Sequence, residues 1–312
     1  MSINNKLKII QEISTNGGLL SRFFKTKLSK YDFFWNFINR HSRRKYNFLE
    51  DEIDEFAYKV TNEVRENGFS VRKLDDFLKQ EEITLLVNEV VRKYSVAPRQ
   101  RGDDWSSKKN YLEYYEGGFF PKELQKLKLD NEFHKFAINE TILEIVNNYF
   151  NAIGKLCYIE LNKCSMNRSD QLIAGSQRVH RDPSFRHCMK VFIYWNDVNE
   201  NGGPFTYIPK THFLGKYCHI APNMKLFGGS YYPKPSLYKQ LPQNKLIGSK
   251  GTIIFCDTTG LHYGGISFDE PRKMSTFVYY PETDFVKPAI KLQGMDSLIN
   301  SLSKRQKFCL GL

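Results

Sequence analysis

What most constrains this chain is a change of hydrophobic period near Lys155. Before it, apolar residues recur at helical spacing. In 50–66, EDEIDEFAYKVTNEVRE, the residues Ile53, Phe56, Ala57, Val60 and Val64 share one stripe, and Gly68 stops the helix. GFSVRKLDDFL then reads as a short strand and turn, EEITLLVNEVVRKYS (81–95) as a second amphipathic helix, and roughly 121–151 as a third helical stretch broken near Asn139. After Lys155 come short β-branched or aromatic runs bounded by Gly, Pro, Asn and Asp: KLCYIELNKCSM, CMKVFIYWND, GPFTYIPK, GTIIFCD and MSTFVYYP. Helices followed by many short strands predict an α+β fold with a sandwich or jelly roll, not a parallel βαβ sheet. The 24 Phe and 18 Tyr suit such a core and aromatic-lined pockets.

Composition excludes several function classes. Six cysteines (Cys157, Cys164, Cys188, Cys218, Cys256, Cys309) form no CxxC pair, which argues against a zinc ribbon or a thioredoxin-like motif. The N-terminus lacks the apolar core of a signal peptide, and no apolar stretch approaches the roughly 20 residues of a membrane span. A reducing cytoplasm is the expected compartment. The net charge of +12 is uneven, since residues 1–50 hold ten Lys/Arg against three Asp/Glu. That arm could meet nucleic acid, an anionic membrane or acidic substrates, but a solvated basic face is the favoured reading. Its Phe and Trp residues are expected to pack a helix onto the core rather than to stack on bases.

The segment SQRVHRDPSFRHCMKVFIYWND (176–197) sets His180 and Asp182 two residues apart, just before a β run. On a strand, residues i and i+2 face one side, so both can point into one cavity while Arg181 points away. A third ligand must come from elsewhere, and the candidate is His262 in GTIIFCDTTGLHYGG, where a β run ends in a Gly-rich turn. Two imidazoles and a carboxylate that leave open positions suit non-haem Fe(II) oxygenases. Ten residues on, Arg272 carries a fork that could grip a carboxylate at two points.

With HRD (180–182), NGGPFTYIPKTH (201–212), GTIIFCDTTGLHYGG followed by Arg272, and the upstream ENGFSVRKLDDFL, the sequence resembles the phytanoyl-CoA dioxygenase family of Fe(II)/2-oxoglutarate-dependent oxygenases over about residues 50–285. The resemblance implies a double-stranded β-helix (jelly-roll, cupin-like) core flanked by N-terminal helices. It implies Fe(II) held by His180, Asp182 and His262, and 2-oxoglutarate anchored by Arg272. The strand bearing Lys190, Phe192 and Tyr194 would lie beside 2-oxoglutarate, although Met189, Val191, Ile193 and Trp195 could equally face inward. Arg181 stands where the family often has Gln, and IPKTH replaces an IPGSH-like turn. Because related halogenases replace the carboxylate ligand with a small residue, Asp182 favours hydroxylation.

These implications organise the chain as a basic helical arm (1–49), a dioxygenase domain (50–290) with an insertion or lid at about 213–250, and a C-terminal tail (291–312). Asp257 is expected to cap the turn or orient His262 rather than bind metal, and His187, His212 and His219 are weaker ligand candidates. Tyr231 and Tyr232 could contact substrate or cover the barrel. Lys225, Lys234, Lys239, Lys245 and Lys250 make the loop basic, a feature that an anionic or phosphorylated small-molecule substrate, taken alongside O2, and solvated lysines on the loop explain equally. A nucleic-acid substrate ranks below it, and a non-oxygenase metal-binding jelly roll ranks last.

Overall fold

A computed structural model describes residues 27–49, 53–96, 112–116, 126–127, 131–163, 175–220, 230–270, 272–284, 291–292 and 296–312. Most of the basic arm, Cys164 and Lys225 therefore lie outside the described residues. The helix expected at 50–66 is α3 (Glu55–Asn67), after α1 (Asp32–Ile38) and α2 (Arg40–Asn47). Asp54 caps it by accepting from the Ala57 amide, so Ile53 precedes the helix and is exposed, while Ala57, Val60 and Val64 are buried. Gly68 ends α3 at φ +90, and its Cα faces the Tyr207 ring so closely that a Cβ would stand 2.3 Å from the hydroxyl.

The second helix is α4 (Gln80–Val96). The third expected helix divides into α5 (Glu132–Phe136) and α6 (Glu140–Phe150), because Asn139 turns its side chain onto the Thr141 and Ile142 amides as an N-cap. At the C-terminus α7 (Asp296–Ser301) and α8 (Lys304–Leu310) follow, with Cys309 buried in the core.

One six-stranded antiparallel sheet runs in the order β1 (Phe69–Lys73), β8 (Thr252–Asp257), β5 (Met189–Tyr194), β10 (Lys273–Pro281), β4 (Gly154–Lys163), β2 (Leu112–Glu116). A smaller antiparallel sheet holds β7 (Asn244–Leu246), β6 (Phe205–Tyr207) and β9 (His262–Gly264). β3 (Lys126–Leu127) and β11 (Lys291–Leu292) pair separately in parallel. The two main sheets pack face to face, with Phe192, Tyr194, Ile254, Cys256 and Met274 of the larger meeting Phe205, Tyr207 and Leu246 of the smaller. The other face of the large sheet carries Met189, Val191, Ile193, Phe255, Phe277 and Tyr279 against α3, α4, α5 and α6. This is the expected mix of helices and antiparallel sheets. The small sheet is continued only by single bridges such as His180 with His262, so the described residues do not close a full double-stranded β-helix.

Part of the stretch 213–250 lies among the described residues. Its described residues include two short 3-10 turns and β7, and bridges join Arg181 to Tyr231 and Val198 to Gly248. Trp35 of α1 is buried and lies edge-on to His187 at 5.6 Å, while Arg186 reaches back to Asp32 at 2.5 Å and to the Ser29 carbonyl at 3.0 Å. Trp35 thus packs as expected, whereas Phe33, Phe37 and Phe48 stand in solvent.

Candidate metal centre

Main-chain pairing assembles the site. His180 and His262 form an antiparallel rung in which each amide donates to the other's carbonyl at 3.0 Å, bringing the ring centroids within 4.2 Å. Two residues on, the Asp182 amide donates to the Thr258 carbonyl at 2.9 Å, which keeps the strand extended and turns Asp182 to the same side as His180. Arg181 points to the opposite side, fully buried, with its backbone paired to Tyr231.

The two imidazoles are oriented alike. His180 Nδ1 lies 2.8 Å from the Arg178 carbonyl and His262 Nδ1 lies 2.9 Å from the Gly260 carbonyl. A carbonyl only accepts, so each Nδ1 carries the proton and each Nε2 keeps a free lone pair. Those atoms face Asp182, His180 Nε2 at 3.7 Å from Oδ1 and His262 Nε2 at 3.6 Å from Oδ2. All three donor atoms lie within 4.8 Å of one another, a group that could hold one metal ion. Two neutral nitrogens and one carboxylate oxygen form a donor set that fits iron and leaves coordination positions free.

Electrostatics keep the donors in binding form. Burial, then the neighbouring His180, pushes the His262 imidazole down to about 3, and burial lowers His180 too, so both are neutral at pH 7. Burial works to raise the Asp182 carboxyl, but the Lys190 ammonium outweighs it and holds the group ionised. Lys190 Nζ stands 2.7 Å from Asp182 Oδ2. Of the two possible inward faces of β5, the one bearing Lys190, Phe192 and Tyr194 is therefore turned to the metal group. Phe192 packs on Phe205 at 4.5 Å, and Phe205 lies 5.5 Å from the His262 ring.

Arg272 is buried on the inner side of β10's start, with Nη1 donating to the Gly203 carbonyl and no hydrogen bond at Nε among the described residues. Gly264, two residues after His262, leaves room for it, since a Cβ there would come within 3.2 Å of Nη2. Thr276, four residues along the same strand and hence on the same face, buries a hydroxyl without a partner among the described residues. Unsatisfied buried donors of this kind fit an anionic ligand lying between the sheets. Sequence reading missed Thr276; its signal was the i, i+4 spacing from Arg272 on one strand.

Asp257 is not in the donor group. Tyr149 donates to Asp257 Oδ2 at 2.5 Å, the Thr259 amide and hydroxyl to Oδ1 at 3.0 and 2.7 Å, and His187 Nδ1 lies 3.1 Å from Oδ2. It caps the turn that presents the Thr258 and Gly260 carbonyls, the partners of Asp182 and His262. His187 and His212 serve in this buried support, His212 Nε2 lying 2.9 Å from the Arg65 carbonyl. His219 makes no part of the donor group. Tyr232 stacks on His180 at 5.8 Å, and the Arg178 guanidinium lies 4.8 Å over Tyr232.

No family model matches the chain, and no curated protein matches it in sequence. Among solved structures it is similar to the epimerase SnoN in complex with Fe3+, alpha ketoglutarate and nogalamycin RO, with a TM-score of 0.52, 15% identity, and 78% of this chain and 92% of that one covered. Another structure of SnoN, described as a non-heme alpha ketoglutarate dependent epimerase from nogalamycin biosynthesis, aligns at a TM-score of 0.50 and 15% identity over 78% of this chain and 88% of the other. At this identity the likeness establishes the fold. Among the described residues no helix is long and apolar enough to cross a membrane.

Proposed function

We propose that this protein is an Fe(II)- and 2-oxoglutarate-dependent oxygenase that hydroxylates an unactivated carbon of a small, anionic molecule. One observation carries the reading: three donor atoms from His180, Asp182 and His262 converge, with both imidazole Nδ1 protons tied to backbone carbonyls so that each free Nε2 faces the carboxylate. Iron with 2-oxoglutarate and O2 supplies the oxidising power for such a reaction, with succinate and CO2 as co-products.

The chain's own residues bind, orient and shield. His180, Asp182 and His262 hold the metal. Arg272 takes the far carboxylate of 2-oxoglutarate at two points, and Thr276 adds a hydroxyl from the same strand. Lys190 keeps Asp182 ionised and places a second positive charge beside the acid. Phe192 and Phe205 exclude water from this side of the ligand group, which strengthens each charge contact. Arg178 and Tyr232 offer a cation and a ring beside His180, and these favour an anionic substrate. The lysines Lys234, Lys239, Lys245 and Lys250 stand in solvent, and Lys245 pairs with Glu200 at 3.0 Å, so they support that reading less.

The test is succinate formation from 2-oxoglutarate by the purified chain with Fe(II) and O2, against His180→Ala and Asp182→Ala. Turnover that is lost in both variants is expected; turnover unchanged in either one defeats the assignment. Product mass then separates outcomes, since hydroxylation adds one oxygen atom whereas an epimerisation like that named for SnoN leaves the mass unchanged.

A further inference from the structure

The N-terminal helix pair has two opposed faces. One is locked onto the core through Trp35, 4% exposed, and through Ser42, whose hydroxyl bridges both main-chain groups of Ile153. The other presents Phe33 at 85% and Phe37 at 55% exposure, one helical turn apart, and Tyr31, 55% exposed, stands at the helix N-cap. Exposed cations flank these rings: Lys30 lies 4.8 Å over Tyr31, Arg40 lies 4.8 Å over Phe37, and Arg44 follows one turn later. Asp32, the acidic residue of this first helix, is paired with Arg186. Single exposed aromatics are ordinary, but two one turn apart on an anchored helix, set among cations with a third ring at the helix start, are not.

We propose that this face docks on an anionic lipid surface, with Phe33 and Phe37 entering the headgroup region and Lys30, Arg40 and Arg44 meeting lipid phosphates. Aromatic rings set among basic side chains are the composition that lies in a membrane interface. A second copy of the chain is the poorer occupant, because a net charge of +12 repels its like. Nucleic acid would engage the cations, but bases stack on rings within a groove that tracks the backbone, whereas these rings project from a helix.

The experiment is co-sedimentation of the full chain with vesicles of phosphatidylcholine alone, or with about 30% phosphatidylglycerol added to supply the anionic charge. Binding to the anionic vesicles is expected to exceed binding to the neutral ones by roughly tenfold or more and to weaken with salt. Phe33→Ser with Phe37→Ser, and separately Lys30→Glu with Arg40→Glu, should each weaken it by roughly tenfold or more while the thermal melt is unchanged, since these side chains are exposed. No sedimentation with anionic vesicles at low salt, or equal binding by the Phe33→Ser, Phe37→Ser chain, overturns the proposal. So does a wild-type dimer that the same double variant splits, or tighter binding to an oligonucleotide than to the vesicles.

Discussion

Lys190 places its ammonium 2.7 Å from the Asp182 carboxylate, where both side chains are largely shut off from water. The pair links the first expected outcome to metal binding. Lys190→Met leaves a buried carboxylate without its cation, which should cost the metal-free chain roughly 3–5 kcal/mol in urea unfolding. Added Fe(II) or a redox-inert divalent ion supplies the missing charge, so the metal-induced rise in Tm should be larger in the variant than in the wild type. An equal rise in both would show that Lys190 and the ion do not share Asp182.

Arg272→Met should raise the KM for 2-oxoglutarate by roughly 10- to 100-fold, the range expected when a charge-assisted contact is lost. Metal affinity, read by titration in the absence of 2-oxoglutarate, should stay within about twofold, because a side chain that contacts only the acid adds nothing to the ion. Thr276→Val should act in the same direction but less, as a neutral hydroxyl contributes roughly half as much as an ionic contact.

Gly68→Ala should destabilise the fold by roughly 2–4 kcal/mol, from a left-handed backbone that disfavours a side chain and from collision with Tyr207. The observed basis is φ +90 and a Cβ position 2.3 Å from the Tyr207 hydroxyl. Urea unfolding measures it. A cost below about 0.5 kcal/mol would mean that Tyr207 moves aside freely.

Acid should weaken the protein before its carboxylates titrate. His187 is buried neutral, its Nδ1–H given to Asp257 and its Nε2 accepting from Arg186 Nε at 3.1 Å, and burial pushes its imidazole below the ordinary 6.5. A folded pKa below the unfolded one means that the unfolded chain binds the proton first, so this stability is complete above 6.5 and drains away as pH falls through that value. Asp257, pushed up by burial but held down to about 2 mainly by His187, keeps its contribution until pH drops below 3.8 and loses it toward 2. The Tm should therefore decline between about pH 7 and 5, and His187→Gln should lower the Tm at neutral pH while flattening that decline. His212 is depressed by burial with the same sign, so part of the slope should persist.

How far the sequence could be read depends on which forces act locally. The His180 and Asp182 spacing was legible because period-two alternation alone turns both side chains to one face. The break at Asn139 was visible because a capping residue acts within three positions of itself. By contrast, β5 is buried on both sides, Val191 against helices and Phe192 against the small sheet, so its unbroken apolar run contained no sign of which face looks inward. Residues 213–250 read as a long insertion between strands because β7 has three residues and the other ties among the described residues are single bridges, set by distant partners rather than by local pattern. Phe33 and Phe37 were expected to be covered; hydrophobicity marks a ring as apolar without naming what it meets.

The four residues from Asp257 to Gly260 hold up two ligands from opposite directions, steadying one chain segment by the Thr258 oxygen and the other by the Gly260 oxygen. Damage to that corner cannot remove half of the centre. In a stressed population each molecule should be either fully competent for the ion or wholly unable to take it, and titration should reveal a shrinking number of sites with unchanged affinity.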